Sequence, residues 1–341
     1  MKALVSQNHQ SHVQEVPRPS LQDDGDILLQ VAACGVCFSD VHKIRFQPLE
    51  KGVILGHEVA GKVVEAGSAV RKFHVGDRVV VAHHVPCLQC HYCRHGNVSM
   101  CEQFKQTSLD PGGFAEFVRV PAAHVGNVAF AIPSGLSDAA ASFMEPLGCC
   151  VRGVKRAGIQ RSDVVALVGL GSIGVLVMQL LRHAGADCIG LDLDPGRRQF
   201  AQSLGITAAF GEAASDFQEA IARASEGRGA DAVFLTAGNP SLVPQALSWL
   251  RDGGTCLIFA SLHPEAEVNL DWNQLYYREI NIVASYSSSP ADLKEAIELL
   301  ANGSVNVAAL TEHTFPLDRF SEALAAIENR TILKAIMTPN G

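Results

Sequence analysis

The chain has 341 residues, more than one hydrophobic core usually spans, so two domains are expected. It is 48% hydrophobic and 18% charged, and its formal charge of -8 argues against nucleic acid or an anionic membrane as a main partner. Ten cysteines, in a chain of this length whose first residues lack a secretory apolar region, predict a reducing cytoplasm and metal rather than disulfides.

The first 145 residues or so read as β-rich. Short β-branched runs recur at 27–32, 59–65, 78–81 and 114–120, with Gly, Pro and Asp between them. Between the first two runs stand Gly35-Val-Cys37-Phe-Ser39-Asp40-Val-His42 and Gly56-His57-Glu58. The thiolate of Cys37 and the imidazole of His57, twenty residues apart, are both good zinc ligands. Cys34 also makes a C-x2-C with Cys37, but no thioredoxin-like βαβ pattern surrounds it, so a redox pair is the weaker reading.

Further on, Cys87, Cys90, Cys93 and Cys101 stand in the spacing C-x2-C-x2-C-x7-C. Four thiolates gathered this closely can close a tetrahedral shell around one structural zinc ion, leaving no open position for chemistry. An iron–sulfur site usually has a shorter last spacing followed by proline, and a nucleic-acid-binding zinc ribbon would want a basic surround. His83, His84, His91 and His95 lie nearby; they read as solvated loop histidines.

From about residue 160 the pattern changes to strands at 164–168, 188–191, 232–236, 255–260 and 281–284, with helices such as 173–183 and 197–204 between them. This alternation predicts a parallel sheet covered by helices on both faces. Residues 164–181 carry no charge over eighteen positions, the lower limit of a membrane span, but Gly169, Gly171 and Gly174 interrupt them. A buried strand, a turn and a helix are the better reading. Two further helices, 293–301 and 319–327, and a strand at 333–337 complete the prediction.

Gly169-Leu-Gly171-Ser172-Ile173-Gly174 follows the first of these strands and opens its helix. Such a turn lets backbone N–H groups at a helix N-terminus approach a pyrophosphate. The next strand ends at Asp192, placed to accept hydrogen bonds from a ribose diol and to repel a 2′-phosphate, which favours NAD over NADP. Arg197 and Arg198 blur that preference, because an arginine can hold a 2′-phosphate.

These motifs, together with Val75-Gly76-Asp77-Arg78-Val79, Gly112-Gly113-Phe-Ala-Glu116 and Glu145-Pro146-Leu147, run in order over nearly the whole chain. The set resembles the zinc-dependent medium-chain alcohol dehydrogenases. Glu145-Pro146-Leu147 makes it most similar to the polyol branch, of sorbitol or L-iditol 2-dehydrogenase type, with threonine dehydrogenases close behind. The resemblance implies an α/β architecture. A GroES-like β-rich catalytic domain, residues 1–146 and 286–341 with a zinc lobe at about 83–102, would carry an inserted Rossmann domain at 147–285.

It also implies roles. Cys37 and His57 would bind a catalytic zinc, with Glu58 or Glu145 in the third protein position and Asp40 orienting His57. Ser39 and His42 would pass the alcohol proton to solvent. Lys334 and Arg197 would join the glycine turn in holding the cofactor. Phe38 replaces a frequent basic diphosphate ligand, which weakens one cofactor contact. The expected function is hydride transfer between a secondary alcohol, preferably a polyol or diol, and NAD, with two zinc ions per chain and a homodimeric or homotetrameric assembly. Alternatives are amino-alcohol oxidation, a simple alcohol dehydrogenase, a zinc-free quinone or enoyl reductase, and a non-catalytic nucleotide sensor.

Overall fold

Ile27–Gly35 is buried at seven of its nine positions, as suits a strand covered on both faces. It is the hub of a seven-stranded sheet, pairing antiparallel with Glu58–Ala66, Phe117–Val120 and Ile336–Met337. Arg78–Ala82 and Ala129–Ala131 extend the sheet beyond Glu58–Ala66. In this computed structural model, which describes residues 1–211, 214–262 and 265–340, the chain divides into two units. One joins residues 1–148 to 288–341; the other is 149–287.

The predicted strand at 333–337 shrinks to the two residues Ile336–Met337. Its register still matters: Ile336 lies opposite Gly35 and Met337 opposite Cys34, so the C-terminal segment is tied beside the Cys37 motif.

The second unit is a six-stranded parallel sheet in the order Ala208–Phe210, Asp187–Leu191, Val164–Val168, Ala230–Leu235, Leu250–Ile258, Asn281–Ala284. The order reverses beside Val164–Val168, the switch point at which doubly wound sheets bind nucleotides. Val164–Val168 is buried at every position, which explains its uninterrupted apolar run. On one face Val164, Ala166 and Val168 pack in a cluster with Phe217, Ile221, Val233 and Trp249. Phe217 and Trp249 meet edge to face at 4.9 Å. The uncharged stretch resolves into this strand, the glycine turn and the helix Ser172–Ala184, whose C-terminus closes on Gly185 in a left-handed conformation. Among the described residues no helix is long and apolar enough to cross a membrane.

Candidate active site

Cys37 ends the hub strand's extension and caps the helix Phe38–Phe46; Glu58 opens the neighbouring strand opposite Gly35. That pairing brings the Cys37 Sγ, a His57 ring nitrogen and a Glu58 carboxylate oxygen within 4.8 Å of one another. A Cβ on Gly35 would lie 1.9 Å from Glu58 Oε2, so the bare backbone there is what leaves room for the carboxylate. Glu145, in the first turn of the helix Met144–Ala157, stands outside this donor set; its Oε1 faces His83 Nδ1 at 3.9 Å.

Asp40 is buried and serves two groups. Its Oδ2 accepts the Cys37 N–H at 3.1 Å, and its Oδ1 faces His57 Nδ1 at 3.2 Å. This arrangement turns the other ring nitrogen of His57 toward Cys37, as in metal-bound histidines held by a carboxylate. In the metal-free chain burial alone would lower the His57 pKa, but Asp40 and Cys37 raise it well above 6.5. That site calls for a cation.

Lys334 is buried, with Nζ 2.6 Å from both oxygens of Glu58. Burial works against its charge, yet Glu58 and Cys37 hold its pKa above the usual lysine value. In this unit Lys334 is therefore the counter-ion of a metal-site carboxylate. Ser39 and His42, three residues apart on Phe38–Phe46, are exposed and half-buried.

His83 and His84 are half-buried and packed against other rings, whereas His91 and His95 are exposed. The His83 ring lies 4.5 Å from that of His57 and 3.9 Å from that of His84. Burial and the neighbouring His57 push the His83 pKa well below 6.5; burial brings His84 down to about 4. The two histidines come directly after the strand Arg78–Ala82, at the start of the connection that follows, and that closeness to the strand was their sequence signal.

In the lobe, the four thiol sulfurs of Cys87, Cys90, Cys93 and Cys101 lie within 4.8 Å of one another. The Cys90–Cys93 and Cys87–Cys93 separations are 3.6 and 4.0 Å. Sulfurs placed tetrahedrally about 2.3 Å from a zinc ion would be roughly 3.8 Å apart, so the set fits that ion without rearrangement. Burial and neighbouring thiols push Cys93 up to about 12, whereas at Cys101 burial is outweighed by N–H donors of Cys87 and Phe104, which bring it down to about 6. Without a cation the cluster cannot ionise as a whole.

In the second unit, a Cβ on Gly174 would meet the carbonyl oxygen of Gly169 at 2.0 Å, so the turn closes only around glycine. Asp192 lies just past the strand Asp187–Leu191 and fastens this turn: its Oδ2 accepts the Leu170 N–H at 2.7 Å and its Oδ1 the Asp194 N–H at 2.9 Å. Asp194, not Asp192, caps the following helix, through Arg197 N. Each Asp192 oxygen keeps acceptor capacity for a ribose hydroxyl. Arg197 Nη1 lies 3.8 Å from Asp192 Oδ2, close to the second glycine of the turn.

Residues 23–130 match the alcohol dehydrogenase GroES-like domain and residues 172–302 the zinc-binding dehydrogenase family. The chain is 32% identical to a sorbitol dehydrogenase of Halalkalibacterium halodurans over 99% of both sequences. It is 31% identical to D-arabinitol dehydrogenase 1 of Uromyces fabae, covering 94% of this chain and 92% of that one. To an L-threonine 3-dehydrogenase of Alteromonas mediterranea it is 27% identical, covering 94% and 95%. Among solved structures, a zinc-binding dehydrogenase of Sinorhizobium meliloti 1021 with NADP bound superposes with a TM-score of 0.89 at 32% identity over 99% of both chains. A 2R,3R-butanediol dehydrogenase of Bacillus subtilis gives 0.86 at 25% identity, also over 99% of both. With two separate zinc-fitting donor sets and a nucleotide turn at the switch point of a doubly wound sheet, the chain belongs to the zinc-dependent medium-chain alcohol dehydrogenases and is an oxidoreductase of that family.

Proposed function

We propose that the protein oxidises a secondary alcohol of a small polyol or vicinal diol to a ketone, with NAD accepting the hydride and one proton released. The observation that carries this reading is the convergence of Cys37, His57 and Glu58 donors within 4.8 Å, with Asp40 behind His57. Those three residues would hold the catalytic zinc, and the four-cysteine lobe would hold a structural one. A zinc ion held with an open position supplies Lewis acidity that makes an alcohol easier to deprotonate.

The protein's own groups do the rest. Asp40 fixes the His57 ring and Lys334 neutralises Glu58. Ser39 and His42 share a helix face, at the spacing that lets one hand a proton to the other on its way to solvent. Gly169, Gly171, Ser172, Ile173 and Gly174 would receive the NAD diphosphate, and Asp192 the adenosine ribose.

Relatives named for sorbitol, arabinitol and butanediol support the polyol reading, and the threonine dehydrogenases support amino-alcohol oxidation as the competitor. Assembly into homo-oligomers is supported by Trp272, Tyr276, Tyr277 and Tyr286, all exposed near the edge strand Asn281–Ala284. A second copy could pair with that edge.

NADH formation with a panel of C4–C6 polyols, vicinal diols, threonine and unsubstituted alcohols tests the substrate class. Polyols or diols should exceed plain alcohols in kcat/KM by roughly a hundredfold, because polar groups built for hydroxyls are left unpaired by analogues that lack them. A preference for a plain alcohol or for threonine would replace this reading. NAD should exceed NADP with the same substrate.

A further inference from the structure

His83 is held with more care than a pocket wall requires. Its carbonyl oxygen bonds His124 Nε2 at 2.9 Å, and His124 is itself buried. Its ring is wedged between those of His57 and His84, and the His84 ring is pinned by Nδ1 to the Thr107 carbonyl at 2.6 Å. Tilted at 48° to the His57 ring and 42° to the His84 ring, the His83 ring has its plane held by this packing. Yet His83 Nδ1, fully buried, makes no hydrogen bond. A buried polar atom without a hydrogen bond is costly and calls for a reason.

Opposite that atom, Glu145 Oε1 stands 3.9 Å away. The gap is too long for a direct hydrogen bond and suits one bridging oxygen. An oxygen about 2.8 Å from each atom would see them at roughly 90°, open to accepting from an imidazole N–H while donating to a carboxylate.

We propose that His83 and Glu145 form a hydroxyl-reading pair beside Cys37, His57 and Glu58. It would bind the hydroxyl on the carbon next to the one oxidised, accepting that hydroxyl's proton at Glu145 and donating to its oxygen from His83. The inference rests on the diol reading above and names the residues that enforce it. A carboxylate alone would also accept from an ammonium group; with the His83 proton on Nδ1, the pair favours a hydroxyl, which both donates and accepts, over an ammonium, which only donates.

The test compares 2,3-butanediol with 2-butanol, using His83→Phe, which keeps an aromatic ring in the stack without nitrogen, and His83→Asn, which returns an N–H near the Nδ1 position. The ratio of kcat/KM for diol over mono-alcohol should fall tenfold to hundredfold in His83→Phe, through the KM of the diol, and recover in part in His83→Asn. A second readout is titration of the NADH-bound enzyme with each alcohol by calorimetry, with zinc content measured for every variant. An unchanged ratio in His83→Phe, or zinc lost from it, overturns the pair. A wild type that binds the diol selectively but does not oxidise it would refute the proposed reaction and leave the pair standing. A wild type that binds both alcohols equally would refute the pair.

Discussion

Glu58 and Lys334 show most clearly what single residues contribute and what a sequence hides. Both are buried, and each neutralises the other at 2.6 Å. Removing one partner of such a pair leaves an uncompensated charge in the interior, so Lys334→Met should cost metal-free protein about 3–5 kcal/mol in urea unfolding. The partners are 276 positions apart, and they meet only because Ile336–Met337 pairs with Cys34–Gly35. The strand itself was expected at 333–337, but nothing local names Ile27–Gly35 as its partner, so the ion pair was illegible. Cys37 and His57 stood out as donor types in short motifs, whereas the place of Asp40 behind His57 came only from the family resemblance. Cys37→Ser and His57→Ala should abolish turnover and remove one zinc per chain while leaving NADH binding, followed by fluorescence, nearly intact. Retained activity at normal zinc content would refute their roles as ligands.

At the scale of elements, turn and lobe answer to different physics. The Gly169–Gly174 turn is a matter of space: Gly174→Ala places a methyl group 2.0 Å from a backbone oxygen, so strand and helix must part. Loss of NADH binding together with a lower unfolding temperature is expected, with zinc content unchanged. Asp192 both fastens the turn and offers itself to a ribose, so Asp192→Gly should relax the preference for NAD over NADP and also weaken binding of either. The lobe is a matter of charge, since its thiols ionise together only around a cation. Cys93→Ser should lower the unfolding temperature and reduce zinc by one. The strands at 164–168 and 281–284 were readable from short apolar runs, and the helix at 173–183 from apolar spacing after the glycine turn. Ala208–Phe210 was not: three half-buried residues carry too short a pattern to stand out.

Across the molecule, stability has its own anchors away from the chemistry. Asp26 is buried and accepts N–H groups of Gln22, Asp23 and Ala122 and the Arg119 guanidinium. Burial alone would raise its pKa, but the Gln22 N–H, Arg119 and the Ala122 N–H together hold it below the usual 3.8. A carboxylate with a depressed folded-state pKa stabilises the fold above its unfolded value, and that contribution is lost as pH falls through the folded value. Wild-type unfolding free energy should therefore drop more steeply below about pH 4 than that of Asp26→Asn. The central claim, however, is that the fold carries two separate zinc centres, only one of them catalytic. Elemental analysis of protein purified without added metal tests this most directly. The account predicts two zinc ions per chain; one or none would contradict it.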